Sequence, residues 1–188
     1  MIHRIFLAGP YTYWDQARKA EYLRDVSAAE TESDIHRIGP VPPTCEPAGI
    51  DEPTERGLWI GKTTIERLRD TQGLVADLSP FRGPHPEPST VLLLGMAAGL
   101  GMPIAAYTTA DPAKLENRVL YFPDNVSGCH AALIEDFDLH CHAVLEAALT
   151  LAGSRILVAD DHEEGLRLAF GELRRLIDDR TTGGGEVD

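Results

Sequence analysis

Ile5-Phe6-Leu7-Ala8 is an unbroken apolar run, closed at once by Gly9-Pro10. A strand that is apolar at every residue must be covered on both faces. The same signature returns in Gly73-Leu74-Val75-Ala76-Asp77-Leu78 and again over residues 103–107. Residues 155–158 fit a further strand, and residues 117–122 a weaker one. Helical patterns lie between these runs. Asp15 is placed to cap a helix reaching about Ala29, with Ala17, Ala20, Leu23 and Val26 as its apolar stripe. Further helices are predicted over residues 57–70, 139–152 and 161–179. A helix over residues 91–99 starts at a Ser89 or Thr90 cap and stops at Gly101. It is apolar all round, which predicts burial, with Gly95 and Gly99 permitting close packing.

Strands alternating with helices predict an α/β fold, a parallel sheet with helices on both faces. The chain has 188 residues, enough for one domain that buries about 70% of its unfolded surface. We read residues 1–180 as that domain and the tail TTGGGEVD, residues 181–188, as disordered. Residues 39–56 contain Pro40, Pro42, Pro43, Pro47 and Pro53. So many prolines exclude a regular helix or a central strand and predict a lid, a binding loop or a mobile loop.

The net charge of −13 repels phosphate backbones and anionic lipid, so neither nucleic acid nor membrane is an expected partner. No apolar run reaches the ~18 residues that span a bilayer. Three cysteines, Cys45, Cys129 and Cys141, make no disulfide framework and fit a reducing compartment. With no secretory signal at the start, the expected location is the cytoplasm. No dinucleotide fingerprint or phosphate loop occurs, and no cofactor is expected. Cys129-His130 and His140-Cys141-His142 have residue types that suit zinc, but their spacing matches no zinc motif, so no metal site is expected.

In a parallel sheet the ligand lies beyond the carboxyl ends of the strands. There Tyr11 could stack on a planar base or simply pack its own loop. Asp77, ending a buried strand, is placed to hold a sugar hydroxyl or to cap the next turn. Arg82 and His85 lie in a proline-stiffened loop. His85 there acts as an acid, binds a hydroxyl or is simply solvated. Glu87 stands at a helix start, where the dipole favours a carboxylate in any case.

The segments IFLAGPYTY, GLVADLSPFRGP, EPSTVLLLGMAAGLGMPIAAYT and ALIEDFDL, in this order, resemble the nucleoside 2-deoxyribosyltransferase family. The resemblance implies a flavodoxin-like sheet of about five strands and a homodimer or higher homo-oligomer. It also implies a nucleoside or nucleotide ligand. Members of that family cleave or transfer an N-glycosidic bond through a carboxylate nucleophile. The implied binding residues are Gly9, Tyr11, Asp77, Phe81, Arg82, His85, Leu93 and His142. The family pattern is about Asp-x-Gly-Thr-x-x-Glu-x-Gly. It falls on Glu87-Pro88-Ser89-Thr90-Val91-Leu92-Leu93-Leu94-Gly95. The nucleophilic Glu therefore aligns with Leu93, and Glu87 is the one local carboxylate left as a catalytic candidate. The family's base-side Asp aligns with Gln72, and a late Asn with His142. Two functions follow as alternatives: an enzyme acting on the N-glycosidic bond, or a nucleoside-binding subunit without that chemistry, which could partner an active homologue.

Overall fold

The computed structural model describes residues 3–109, 115 and 137–182. Strand β1 (His3–Ala8) is followed by a short 3-10 turn (Pro10–Tyr13), α1 (Gln16–Ser33), β2 (Ile35–Ile38) and α2 (Pro53–Arg69). Then come β3 (Leu74–Asp77), α3 (Pro88–Gly99), β4 (Ile104–Thr108), α4 (Ala143–Leu151), β5 (Ile156–Val158) and α5 (His162–Thr182). The sheet has the order β2-β1-β3-β4-β5, and every pairing is parallel. This is the doubly wound, flavodoxin-like order, whose crevice opens between β1 and β3, where the winding reverses.

The alternation of side chains along each strand separates two cores. Ile5, Leu7, Val75, Ala105 and Tyr107 pack with Tyr22, Val26 and Ala29 of α1 and with Leu166, Phe170 and Leu173 of α5. Phe6, Ala8, Leu74, Ala76, Ile104 and Ala106 face the other way, against Leu68 of α2, Leu94 and Ala97 of α3, and Leu149 of α4. Each fully buried Leu or Phe contributes about 1.5–3 kcal/mol of transfer free energy.

The elements differ from the sequence reading in instructive ways. Asp15 caps α1 as expected, its Oδ1 accepting the Arg18 N–H at 2.9 Å. The buried face of α1, however, is Tyr22, Val26 and Ala29, while Ala17 and Ala20 are exposed. Residues three apart drift by about 60° per step around a helix of 3.6 residues per turn, so the expected stripe wanders off the sheet. Helix α2 begins at Pro53, four residues before the expected start, with Glu52 as cap and proline in the first turn, where its missing N–H costs nothing. The edge strand β2, only four residues long, was not expected at all. Helix α4 starts at Ala143, not near Leu139. Helix α5 runs on to Thr182, two residues into the segment expected to be disordered. The weak strand expected over residues 117–122 lies outside the described residues.

Helix α3 gives the largest correction. Its cap is Glu87, not Ser89 or Thr90. Only one side is buried: Leu92 is 60% and Leu100 53% exposed, and a Cβ on Gly95 or Gly99 would meet nothing among the described residues. One helix layer on a sheet buries one face of each helix, whatever the composition of the other face.

Candidate functional site

A cleft of about 420 Å³ opens at the carboxyl end of β1. Its floor is Ala8 and Gly9; one wall is Ser89, Thr90 and Leu93 of α3. Arg56, Ile60 and Thr64 of α2 form the opposite wall, and Pro40, Val41 and Pro43 of the proline-rich loop close the end. The loop is fixed where Thr64 Oγ1 accepts the Val41 N–H at 3.1 Å and Arg67 donates to the Gly39 carbonyl at 3.2 Å. The loop thus contributes a cleft wall. Tyr13 stands at the mouth, half-exposed, with its ring 5.6 Å from that of Phe81. Arg82, in a left-handed turn at φ 53°, lays its guanidinium 4.8 Å from the Phe81 ring.

Of the residues expected to bind a ligand, Gly9 and Leu93 line this cleft. Phe81 and Arg82 reach its rim through Tyr13. His85 and His142 lie ring against ring, with centroids 5.9 Å apart. Tyr11 is not available to a base. It is buried, stacks on Tyr22 at 5.2 Å, and donates its hydroxyl proton to the Leu7 carbonyl at 3.2 Å. Burial also holds its phenol well above the ordinary range. Tyr11 and Tyr13 are two apart in a 3-10 turn, hence on different sides of it.

Asp77 turns away from the cleft. It shares the parity of Val75 and so points into the α1–α5 layer. Its Oδ1 accepts the Ser79 N–H at 2.9 Å, which is the turn-capping role, and its Oδ2 faces His162 Nδ1 at 3.4 Å. Gly9 permits this, since a Cβ there would come within 2.9 Å of the Asp77 Cβ.

Glu87 is buried, and both of its carboxylate oxygens are engaged. They accept the N–H of Ser89 at 3.0 Å, the N–H of Thr90 at 2.7 Å and both side-chain hydroxyls. Gln72 is at the opposite end of β3, hydrogen-bonded to the Arg4 backbone. It is not among the described residues that line the cleft. Cys129 and His130 lie outside the described residues. Among the described residues no three metal-ligating side chains gather.

The cleft wall therefore holds hydroxyls, backbone, one arginine and aliphatic surface, with no Asp or Glu among the described residues that line it. Residues 5–143 match the family model described as Nucleoside 2-deoxyribosyltransferase.

The chain belongs to the nucleoside 2-deoxyribosyltransferase family.

Within that fold it is similar to a 2-desoxiribosyltransferase from Leishmania mexicana. The two are 24% identical with a TM-score of 0.65, over 92% of this chain and 97% of that one. A conserved protein from Enterococcus faecalis V583 shares the fold at 17% identity and a TM-score of 0.52, over 93% and 99% of the two chains. No curated protein matches the chain in sequence. Thr12, Tyr13, Arg56 and Thr64 escaped the sequence reading of this family member. Tyr13 sits inside the matching IFLAGPYTY segment, but Arg56 and Thr64 carry no motif and join the cleft only because α2 folds over it.

Proposed function

We propose that this chain binds a nucleoside or nucleotide in the cleft beneath the 39–52 loop and does not cleave its N-glycosidic bond with a carboxylate of α3. The observation that carries this reading is Leu93. Where the family resemblance implies a nucleophile, an aliphatic side chain forms the wall and is 4% exposed. Replacing an ionised group in such a wall removes a desolvation cost, so the pocket survives without the chemistry. Glu87 does not substitute for it, because its lone pairs already receive four donor groups as the cap of α3. Hydroxyls at Thr12, Ser89 and Thr90, with Arg56, offer polar partners for a sugar or a base edge.

The proposal includes a homo-oligomer. Leu92 on α3 and Leu100 at its C-cap, with Val144 and Leu151 on α4, leave apolar side chains in solvent, and such patches mark association sites. No helix among the described residues is long and apolar enough to cross a membrane. The free thiol of Cys45 fits a cytoplasmic location.

Titration calorimetry against deoxynucleosides, ribonucleosides and their 5′-monophosphates tests the binding, and an assay for released base tests the chemistry. The expected result is saturable heat with at least one class and no base release. Absence of heat with every class would sink the binding reading. Base release that disappears in Glu87→Ala would sink the claim that α3 supplies no catalytic carboxylate.

A further inference from the structure

On the sheet face opposite the cleft, four titratable side chains meet at the first turn of α5. Asp77 is fully buried, and its Oδ2 has no hydrogen-bond donor among the described residues. His162 Nδ1 stands 3.4 Å from that oxygen and 3.4 Å from the Tyr107 hydroxyl. The Tyr107 hydroxyl lies 3.2 Å from that of Tyr22. The imidazole is held edge-on to the Tyr22 ring at 5.5 Å and against the Trp14 ring at 5.1 Å. Its outer edge borders a separate cleft of about 280 Å³, lined by Arg18, Glu21 and Asp25 of α1 and by Asp161 and Glu163 at the start of α5.

We propose that His162 and Asp77 form a proton-controlled latch that ties the first turn of α5 to the end of β3. An ionised carboxylate at full burial is costly unless paired. His162 is the cation within reach. With a proton on Nδ1 the imidazolium supplies a counter-charge 3.4 Å from Asp77 Oδ2. Without that proton, Nδ1 is an acceptor for the Tyr107 hydroxyl, and the buried Asp77 carboxylate loses its counter-charge.

The groups facing His162 are Glu21 and Asp25 from α1, Asp77 from β3, Asp161 just before α5 and Glu163 in its first turn. Against them stand the Arg18 guanidinium and the α5 dipole. Arg18 is partly withdrawn, lying 4.0 Å over the Trp14 ring. Burial raises the Asp77 carboxyl above its ordinary range, and the charge of His162 is the largest influence pulling it back. The latch bears on the candidate ligand site only through Asp77 and Gly9, whose backbone packs on the Asp77 Cβ. It therefore stands independently of the nucleoside reading.

The test is a double-mutant cycle on the full chain. The stabilities of the unmutated protein, Asp77→Asn, His162→Gln and the pair are measured in urea at about pH 5.5 and about pH 9, on either side of the usual imidazole range. The latch predicts a coupling of about tenfold in the folding equilibrium at the lower pH and its loss at the higher. Equal coupling at both pH values, or none at either, overturns it. Should Asp77→Asn fail to fold, amide exchange corrected for its intrinsic pH dependence gives the answer. Protection of the α5 first turn, read at the Gly165 N–H bonded to Asp161, then falls as pH rises in the unmutated chain but not in His162→Gln. An identical response in the two proteins overturns the latch.

Discussion

The Glu87 carboxylate accepts the backbone N–H of Thr90 at 2.7 Å and its hydroxyl at 2.9 Å. That pair makes Glu87 the cap of α3. Glu87→Ala is expected to cost about 1–2 kcal/mol, the usual range for losing a cap, seen as a lower urea midpoint with an unchanged slope. Any ligand bound in the cleft should lose little affinity once the folded fraction is accounted for. A large affinity loss in fully folded Glu87→Ala would move the residue from the cap to the binding surface.

Leu93→Glu restores a carboxylate to the cleft wall. Because the site is buried, the change should destabilise the fold by about 2–4 kcal/mol and raise the new carboxyl above its ordinary range. In protein that stays folded, base release from deoxynucleosides should rise above that of the unmutated chain. Folded Leu93→Glu protein that binds ligand and still releases no base would show that more than the nucleophile is missing.

Asp77 carries the clearest pH dependence. Burial raises its carboxyl, so the folded chain holds this proton more tightly than the unfolded chain does. A group raised on folding contributes stability at pH below its unfolded value and loses it as pH climbs through the folded one. Relative to the unmutated chain, Asp77→Asn should therefore gain stability as pH rises from about 4 toward 7. The trend should be steeper in the His162→Gln background, where no cation offsets the charge. Urea midpoints at a series of pH values measure this, and a difference that does not change with pH would refute it.

Gly165→Ala tests how α5 meets the sheet. A Cβ at 165 would run into the Tyr107 ring, and Tyr107 is fully buried beside Tyr22. We expect a loss of about 1–3 kcal/mol from this overpacking. Gly171, on the same helix with open space around its Cβ, is the control: Gly171→Ala should be neutral or stabilising, because alanine is the better helix former. Thermal unfolding of both variants decides it.

The proposed oligomer predicts that Leu92→Glu combined with Leu151→Glu yields a smaller species in sedimentation analysis, with unchanged circular dichroism. Both side chains are exposed in the single chain, at 60% and 89%, so the charges cost the protomer little. A mass equal to that of the unmutated protein would place the interface elsewhere.

Much of the fold was legible locally. β1, β3 and β4 announced themselves as apolar runs, Asp15 as a cap, and Gly101 as a helix stop, where φ is 66°. The absence of a carboxylate at position 93 was legible too, because the glycines and Pro103 fix the register of α3 against the family pattern. The short edge strand β2 was not, since four residues carry too little periodicity. Nor was Arg56 in the cleft wall, because no local pattern says which loop α2 will fold over.

Sequence alone determined most of the strands and helices, their parallel arrangement and the resemblance to the family, since these follow from short-range periodicity and residues matched in order. Tertiary structure decided which way the site residues face. Tyr11 and Asp77 looked like rim residues by position along the chain, yet both point into the α1–α5 layer. Side chains alternate along a strand, so one step in register carries a residue from the open cleft to the opposite core. Only the packed sheet fixes which of those two environments it meets.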